Sequence, residues 1–204
     1  MPKLNIAVFA SHGGSNAQAI IDAAAAGRLD AAVKAVISNN SQSGVLERAK
    51  QAGIPGFHLS SKAYPEPKAL DRAILDTLIA QDVNLIALAG YMKKLGPQTL
   101  AAYAGRIVNI HPSLLPKFGG HGMYGHRVHE AVLAAGETET GVTMHLVDGE
   151  YDEGPVLAQS VVPVEPGDSV ETLAARVLHR EHSFYVETLG RIAAGEIVLP
   201  PLNG

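Results

Sequence analysis

Ile107-Val108-Asn109-Ile110-His111-Pro112-Ser113-Leu114-Leu115-Pro116 sets two polar side chains into a β-branched run that otherwise has the composition of a buried strand. Residues two apart on a strand share a face, so Asn109 and His111 are expected to point the same way. Pro112 has no N–H to give to a sheet ladder and should end the strand, leaving an amide and an imidazole side by side at its carboxyl end. A lone His at a strand end is more often a hydrogen-bonded structural residue than a catalyst. Two same-facing polar groups, however, are costly to bury without partners, and in open α/β sheets ligands bind at the carboxyl ends of the strands.

On the amino side of this stretch, strand and helix patterns alternate. Residues 4–10 form a β-rich run ending at Ser11-His12-Gly13-Gly14-Ser15-Asn16, after which Ala17, Ile20, Ile21 and Ala24 recur at helical spacing. Ser15 or Asn16 then stands near a helix N-terminus, where free N–H groups and the positive dipole end favour an anion such as phosphate. The turn fits neither G-x-G-x-x-G nor a P-loop, and a plain capped turn explains it about as well. Further strands are expected over 32–37, 56–59 and 83–89, and helices over 44–52, 67–81 and 96–103. This alternation implies a mainly parallel sheet with right-handed crossovers, in which the first, fourth and fifth strands end along one rim.

On the carboxyl side, 115–125 is a loop dense in Gly and Pro, suited to a lid or a surface excursion. Helical spacing resumes over 128–135, residues 140–147 and 156–164 alternate as a hairpin-like pair extending the sheet, and 173–194 forms a long amphipathic helix. The expected fold is α/β: a single domain over 1–204, a mainly parallel twisted sheet flanked by helices, Rossmann-like, with an antiparallel C-terminal extension.

Composition narrows the function classes. The 204 residues suit one domain with a sizeable core, and 47% hydrophobic against 18% charged residues argues against disorder. With a net charge of -4 and no basic run beyond Lys93-Lys94, no nucleic-acid surface is expected. The absence of cysteine removes disulfides, thiolate nucleophiles and Cys-based zinc sites, and is compatible with a cytoplasmic location. No apolar run approaches the ~20 residues that cross a bilayer, and residues 4–10 read as a strand rather than a signal peptide. His121, His126 and His129 lie close together, but no H-E-x-x-H or comparable ligand set is present, so no metal is expected.

A second informative stretch is 144–155, where Asp148, Glu150, Asp152 and Glu153 crowd one turn. Such turns are commonly just solvated. Together with the Ser-x-x-Gly-Ser-Asn turn, Asn109-Ile110-His111-Pro112, the His145-x-Val147-x-x-x-x-Asp152-x-Gly154-Pro155 pattern and Glu181-His182, it resembles the folate-dependent formyltransferases, within them the phosphoribosylglycinamide formyltransferases. The likeness runs across nearly the whole chain.

That resemblance implies transfer of a formyl group from 10-formyltetrahydrofolate to the amine of glycinamide ribonucleotide in purine synthesis. By it, Asn109, His111 and Asp152 are catalytic; Gly14, Ser15 and Asn16 cradle the substrate phosphate; and Glu181, by type alone a solvated helix acid, accepts from ribose hydroxyls. Met92, Lys93, Lys94 and Leu95 would hold the pterin, with Lys93 reaching the anionic glutamyl tail, and Val142, His145 and Asp148 would line the other side. Residues 1–110 would then form the ribonucleotide half and 111–204 the folate and catalytic half. The implied partners are small molecules, and the chain is expected as a monomer or homodimer.

The residue types suit that chemistry. Amine attack on a formyl carbon develops an oxyanion, and preorganised donors such as Asn109 and His111 can lower the barrier by about 3 kcal/mol each. A carboxylate near His111 favours its protonated form and can position a water that carries the amine proton to the leaving nitrogen, and both tasks fall to Asp152. Two departures stand out: His12 replaces a glycine beside the phosphate turn, and the loop over 118–125 is longer than in some relatives. A formyltetrahydrofolate hydrolase would be expected to carry an N-terminal regulatory domain, whereas the first strand here starts almost at Met1. A methionyl-tRNA formyltransferase would be expected to carry a basic C-terminal domain, whereas this chain is acidic. A sensor without catalysis would be expected to have lost Asn109, His111 or Asp152.

Overall fold

The structure is a computed structural model and describes residues 3–201. The outer limits of the domain expected over 1–204 lie outside those residues. β1 (Leu4–Phe9), β2 (Ala31–Ser38), β3 (Gly56–His58), β4 (Leu85–Leu88) and β5 (Ile107–His111) are parallel, and β6 (Glu139–Leu146) and β7 (Val156–Pro163) continue the sheet antiparallel. Their order is β3-β2-β1-β4-β5-β6-β7. The connecting helices are α1 (Ser15–Ala25), α2 (Gly44–Gln51), α3 (Pro67–Ala80), α4 (Pro97–Ala102) and α5 (His126–Ala134), and α6 (Val170–Ala193) follows β7. The expected α/β architecture, with its antiparallel extension, is present.

Period-two alternation divides the core between the two faces of this sheet. Ile6 and Val8 of β1, with Val108 and Ile110 of β5, pack beneath α1, α2, α5 and α6, where Ile20, Val45, Val132, Val177 and Tyr185 are buried. Ala7 and Phe9, with Ile86, Leu88 and Ile107, face Ile74, Leu75 and Leu78 of α3 and the flank of α4. Burying a side chain of this size stabilises the fold by about 1.5–3 kcal/mol.

The chain leaves β1 toward β2 and β3, then returns on the other side of β1 with β4 and β5. That reversal separates the segments after β1 and β4 and opens a crevice at their carboxyl ends. Ser11 fixes the rim: its hydroxyl donates to Asn39 Oδ1 (2.5 Å) and accepts from the Met92 N–H (2.8 Å), and its own N–H donates to Gly90 O (3.0 Å). Elements differ from expectation mainly at their ends. β4 starts at Leu85 because the Val83 N–H turns back to Leu78 O and closes α3. α6 starts at Val170 because Ser169 and Thr172 form a reciprocal capping box ahead of the first strongly apolar position.

Candidate active site

The antiparallel register of β5 and β6 builds the centre of the site. Asn109 stands opposite His145 and His111 opposite Thr143, and directly paired residues share a face. The expected common face of Asn109 and His111 is therefore present, and β6 adds two polar neighbours to it. The Asn109 amide Nδ2 donates to His145 Nε2 at 3.0 Å. His145 Nδ1 lies 2.9 Å from Leu146 O, which only accepts, so Nδ1 donates there and Nε2 is the nitrogen that receives the Asn109 amide. The Thr143 hydroxyl donates to Ser113 O (2.7 Å) and accepts from the Leu115 N–H (3.1 Å), which holds the chain beyond Pro112 against β6.

The segment that follows closes on the same face. Phe118, with φ +55°, places its carbonyl 2.8 Å from His111 Nε2, so this nitrogen donates and Nδ1 is left facing Asp152 Oδ2 at 3.4 Å. Asp152 also has a left-handed backbone, φ +59°, a conformation non-glycine residues adopt sparingly and which clusters at functional sites. Its Oδ1 lies 3.4 Å from His145 Nε2 and its Oδ2 accepts the Gly120 N–H at 3.0 Å. The motif glycine of this loop has a steric cause: a Cβ on Gly154 would stand 1.9 Å from Leu146 O, where the loop's two ends meet. Asn109, His111, His145 and Asp152 thus converge.

Charge states follow from burial and these partners. Burial lowers the His111 pKa from its ordinary 6.5, and this outweighs the opposing pull of Asp152 and the Phe118 carbonyl. The carboxylate expected beside His111 is in place, yet the free protein holds a neutral imidazole there at neutral pH. Burial pushes the Asp152 carboxyl up, but the neighbouring His145 and His111 rings and the Gly120 N–H together hold it below the ordinary carboxylate value. Asp152 is therefore ionised.

Two cavities meet at this cluster. A cleft of about 660 Å³ is lined by Asn109, His111 and Asp152, by Asn16 and Glu181, and by much of the 120–129 segment. Glu181 reaches it from α6, accepts from Asn16 Nδ2 at 2.9 Å, and is pushed by burial up to about 7. A second cavity of about 70 Å³ is lined by Lys93, Lys94, Leu95, Asn109, His145 and Asp152. Met92 faces the large cleft. Gly14, Ser15 and Asp148 line neither cavity; Gly14 caps α1 at φ +72° with Val45 packed where a side chain would be. Val142 lies on the opposite face of β6 from Thr143 and His145 and is buried in the core under α6.

Residues 4–189 match the family model described as Formyl transferase. The chain belongs to the formyl transferase family. The chain is 40% identical over 194 residues to the phosphoribosylglycinamide formyltransferase of Escherichia coli, covering 95% of this chain and 89% of that protein. It is 45% identical to the chloroplastic phosphoribosylglycinamide formyltransferase of Vigna unguiculata, covering 95% of this chain but spanning 62% of the plant protein's length. The crystal structure of glycinamide ribonucleotide transformylase 1 from Symbiobacterium toebii superposes with a TM-score of 0.89 at 39% identity, covering 98% of this chain and 95% of that one.

Some groups at this site are not apparent from residue types. The Phe118 carbonyl and Gly120 N–H are backbone atoms, and nothing in a glycine-rich loop marks which of its amides will meet Asp152. His129 is buried on the inner side of α5 with Nδ1 unpartnered, and burial, then His126 and His111, lower its pKa to about 4. Its signal was the stripe Val128, His129, Val132 at helical spacing, which places it inward. Among the described residues no group of three or more His, Asp or Glu side chains is arranged to hold a metal ion, and no helix is long and apolar enough to cross a membrane.

Proposed function

We propose that this chain transfers the formyl group of 10-formyltetrahydrofolate to the amine of glycinamide ribonucleotide, giving formylglycinamide ribonucleotide and tetrahydrofolate in de novo purine (IMP) biosynthesis. The observation that carries the reading is the convergence of Asn109, His111 and ionised Asp152 where a large cleft meets a smaller one. The ribonucleotide takes the large cleft, with its phosphate toward Gly14, Ser15 and Asn16 at the start of α1 and its ribose hydroxyls donating to Glu181. The folate takes the other side, against Met92, Lys93, Lys94 and Leu95, with His145 and Asp148 opposite and Val142 backing β6 from the core. Residues 1–110 then carry most ribonucleotide contacts and 111–204 most folate and catalytic ones, with 92–95 and Glu181 crossing between the halves.

The uncharged amine attacks the formyl carbon, a C–N bond forms, and the carbonyl electron pair moves onto oxygen. Asn109 Nδ2 and a His111 ring N–H stabilise that oxyanion. Both donors are engaged in the free protein, by His145 and the Phe118 carbonyl, so the substrate exchanges them rather than creating them. The carboxylate of Asp152 holds a water that takes the amine proton and delivers it to the folate nitrogen as the old C–N bond breaks. No metal, nucleic acid or membrane enters this scheme, which suits a cytoplasmic monomer or homodimer.

Release of tetrahydrofolate from 10-formyltetrahydrofolate, followed spectroscopically with and without glycinamide ribonucleotide, tests it. Release is expected only with the ribonucleotide. His111→Ala and Asp152→Asn should fold and bind both ligands but turn over about 10²-fold more slowly or worse. Ribonucleotide-independent release, or near-wild-type rates in either variant, would overturn the assignment.

A further inference from the structure

His129 is only 5% exposed and lines the large cleft, yet it takes no part in the transfer described above. The inner stripe of α5 puts it there. Val128 and Val132 on either side of it are fully buried, and Val132 shares a core with Ile110 of β5 and Val177 of α6. The ring is close enough to His111 for the two to repel each other on protonation, and α5 packs on α6, the helix that brings Glu181 to the cleft.

Its two ring nitrogens are placed differently. Nδ1 is sealed from solvent and has no hydrogen-bond partner. Nε2 also makes no hydrogen bond among the described residues, but it is not sealed, so it is the nitrogen that opens on the cleft. A buried N–H without an acceptor is rarer than an acceptor left unfilled, which places the hydrogen on Nε2. Burial, then His126 and His111, lower the pKa of the ring to about 4, so it is uncharged near neutrality. An uncharged N–H donor thus faces the cleft from a packed helix, with no protein group among the described residues to receive it.

The strong acceptors of the reacting pair are mostly accounted for. The phosphate lies toward the turn before α1, and the formyl oxygen meets Asn109 and His111. The glycinamide carbonyl, which links the ribose to the attacking amine, has no donor. We propose that His129 is a substrate-binding residue whose Nε2–H holds the glycinamide carbonyl of the ribonucleotide. That carbonyl is bonded to the carbon that bears the amine, so holding it fixes the rotation that aims the amine lone pair at the formyl carbon. A ribonucleotide amine without the carbonyl loses the contact and is selected against. This rests on the ribonucleotide site proposed above and deepens it by assigning the group that selects the glycinamide.

Calorimetric titration of the full chain with glycinamide ribonucleotide, and with an analogue carrying a methylene in place of the glycinamide carbonyl, tests the contact. His129→Leu should weaken the Kd of the ribonucleotide about threefold to tenfold, the worth of one neutral hydrogen bond, and leave that of the analogue unchanged. A residue that only shaped the fold would alter both alike. His129→Gln, whose amide nitrogen stands where Nε2 does, should restore ribonucleotide binding and kcat/KM, whereas His129→Asn, whose amide reaches only the position of Nδ1, should not. The Gln and Asn variants carry the test by themselves if His129→Leu does not fold. Equal weakening of both ligands in His129→Leu, or equal behaviour of the Gln and Asn variants, would overturn the proposal alone. Failure of the wild type to bind the ribonucleotide would overturn the proposed function as well.

Discussion

Glu181 shows how far a side chain's state can depart from its residue type. It enters the cleft from α6 with Asn16 Nδ2 as its hydrogen-bond donor, and burial pushes its carboxyl from 4.5 up to about 7. The folded state therefore holds this proton more tightly than the unfolded chain does. Its contribution is fully present below pH 4.5 and is lost as pH rises through about 7, a change of about 3 kcal/mol. Urea unfolding at pH 5 and pH 8.5 should show this loss in the wild type and its reduction in Glu181→Gln; equal pH dependence in both proteins would contradict the buried, proton-holding state. As one acid on an amphipathic helix, Glu181 has an ordinary solvated reading, and only the packing of α6 over α1 buries it. Asn109 and His111 were legible for the opposite reason, since their shared face follows from strand period alone. The partner of Asn109, His145, was not, because it depends on β6 register.

Among the elements, α4 is short and has no capping side chain of its own, and a residue from α3 completes it. Asp71, buried, accepts from the Gln98 N–H (2.7 Å), the Thr99 N–H (3.0 Å) and the Thr99 hydroxyl (2.7 Å). Gly96 permits the approach, for a Cβ there would lie 2.2 Å from Asp71 Cγ. Asp71→Ala should lower unfolding stability by about 2–3 kcal/mol, measured as a shift in urea midpoint, because it orphans first-turn N–H groups in a buried setting. A shift within the ordinary range of a surface substitution, about 0.5 kcal/mol, would mean that α4 is held by its apolar face alone. The helix was legible as a short segment over 96–103; its cap was not, because Asp71 is distant in sequence and looks like any helix acid. The start of α6 was missed for a local reason, a Ser–Thr capping pair in place of the commoner Ser–Glu.

At the scale of the whole molecule, the same strands line both cores, so neither can melt while the other persists. Tyr185 is buried in one and Tyr103 in the other, and the chain has no Trp, so the near-ultraviolet signal reports on both through tyrosine. Near- and far-ultraviolet circular dichroism should trace one coincident urea transition, and two separated transitions would show that the faces unfold independently. What the sequence by itself determined is whatever depends on short-range period and punctuation: the alternation of strands and helices, the parallel sheet with its antiparallel extension, and the polar pair before Pro112. Those follow from backbone geometry repeated over a few residues. What only the tertiary structure decided are the distances between segments remote in the chain: the meeting of His111 with Asp152, Val142 facing the core, the neutral state of His111 and the burial of Glu181. Each depends on which segments pack together and on how much water that packing excludes, and neither quantity is carried by a local pattern of residues.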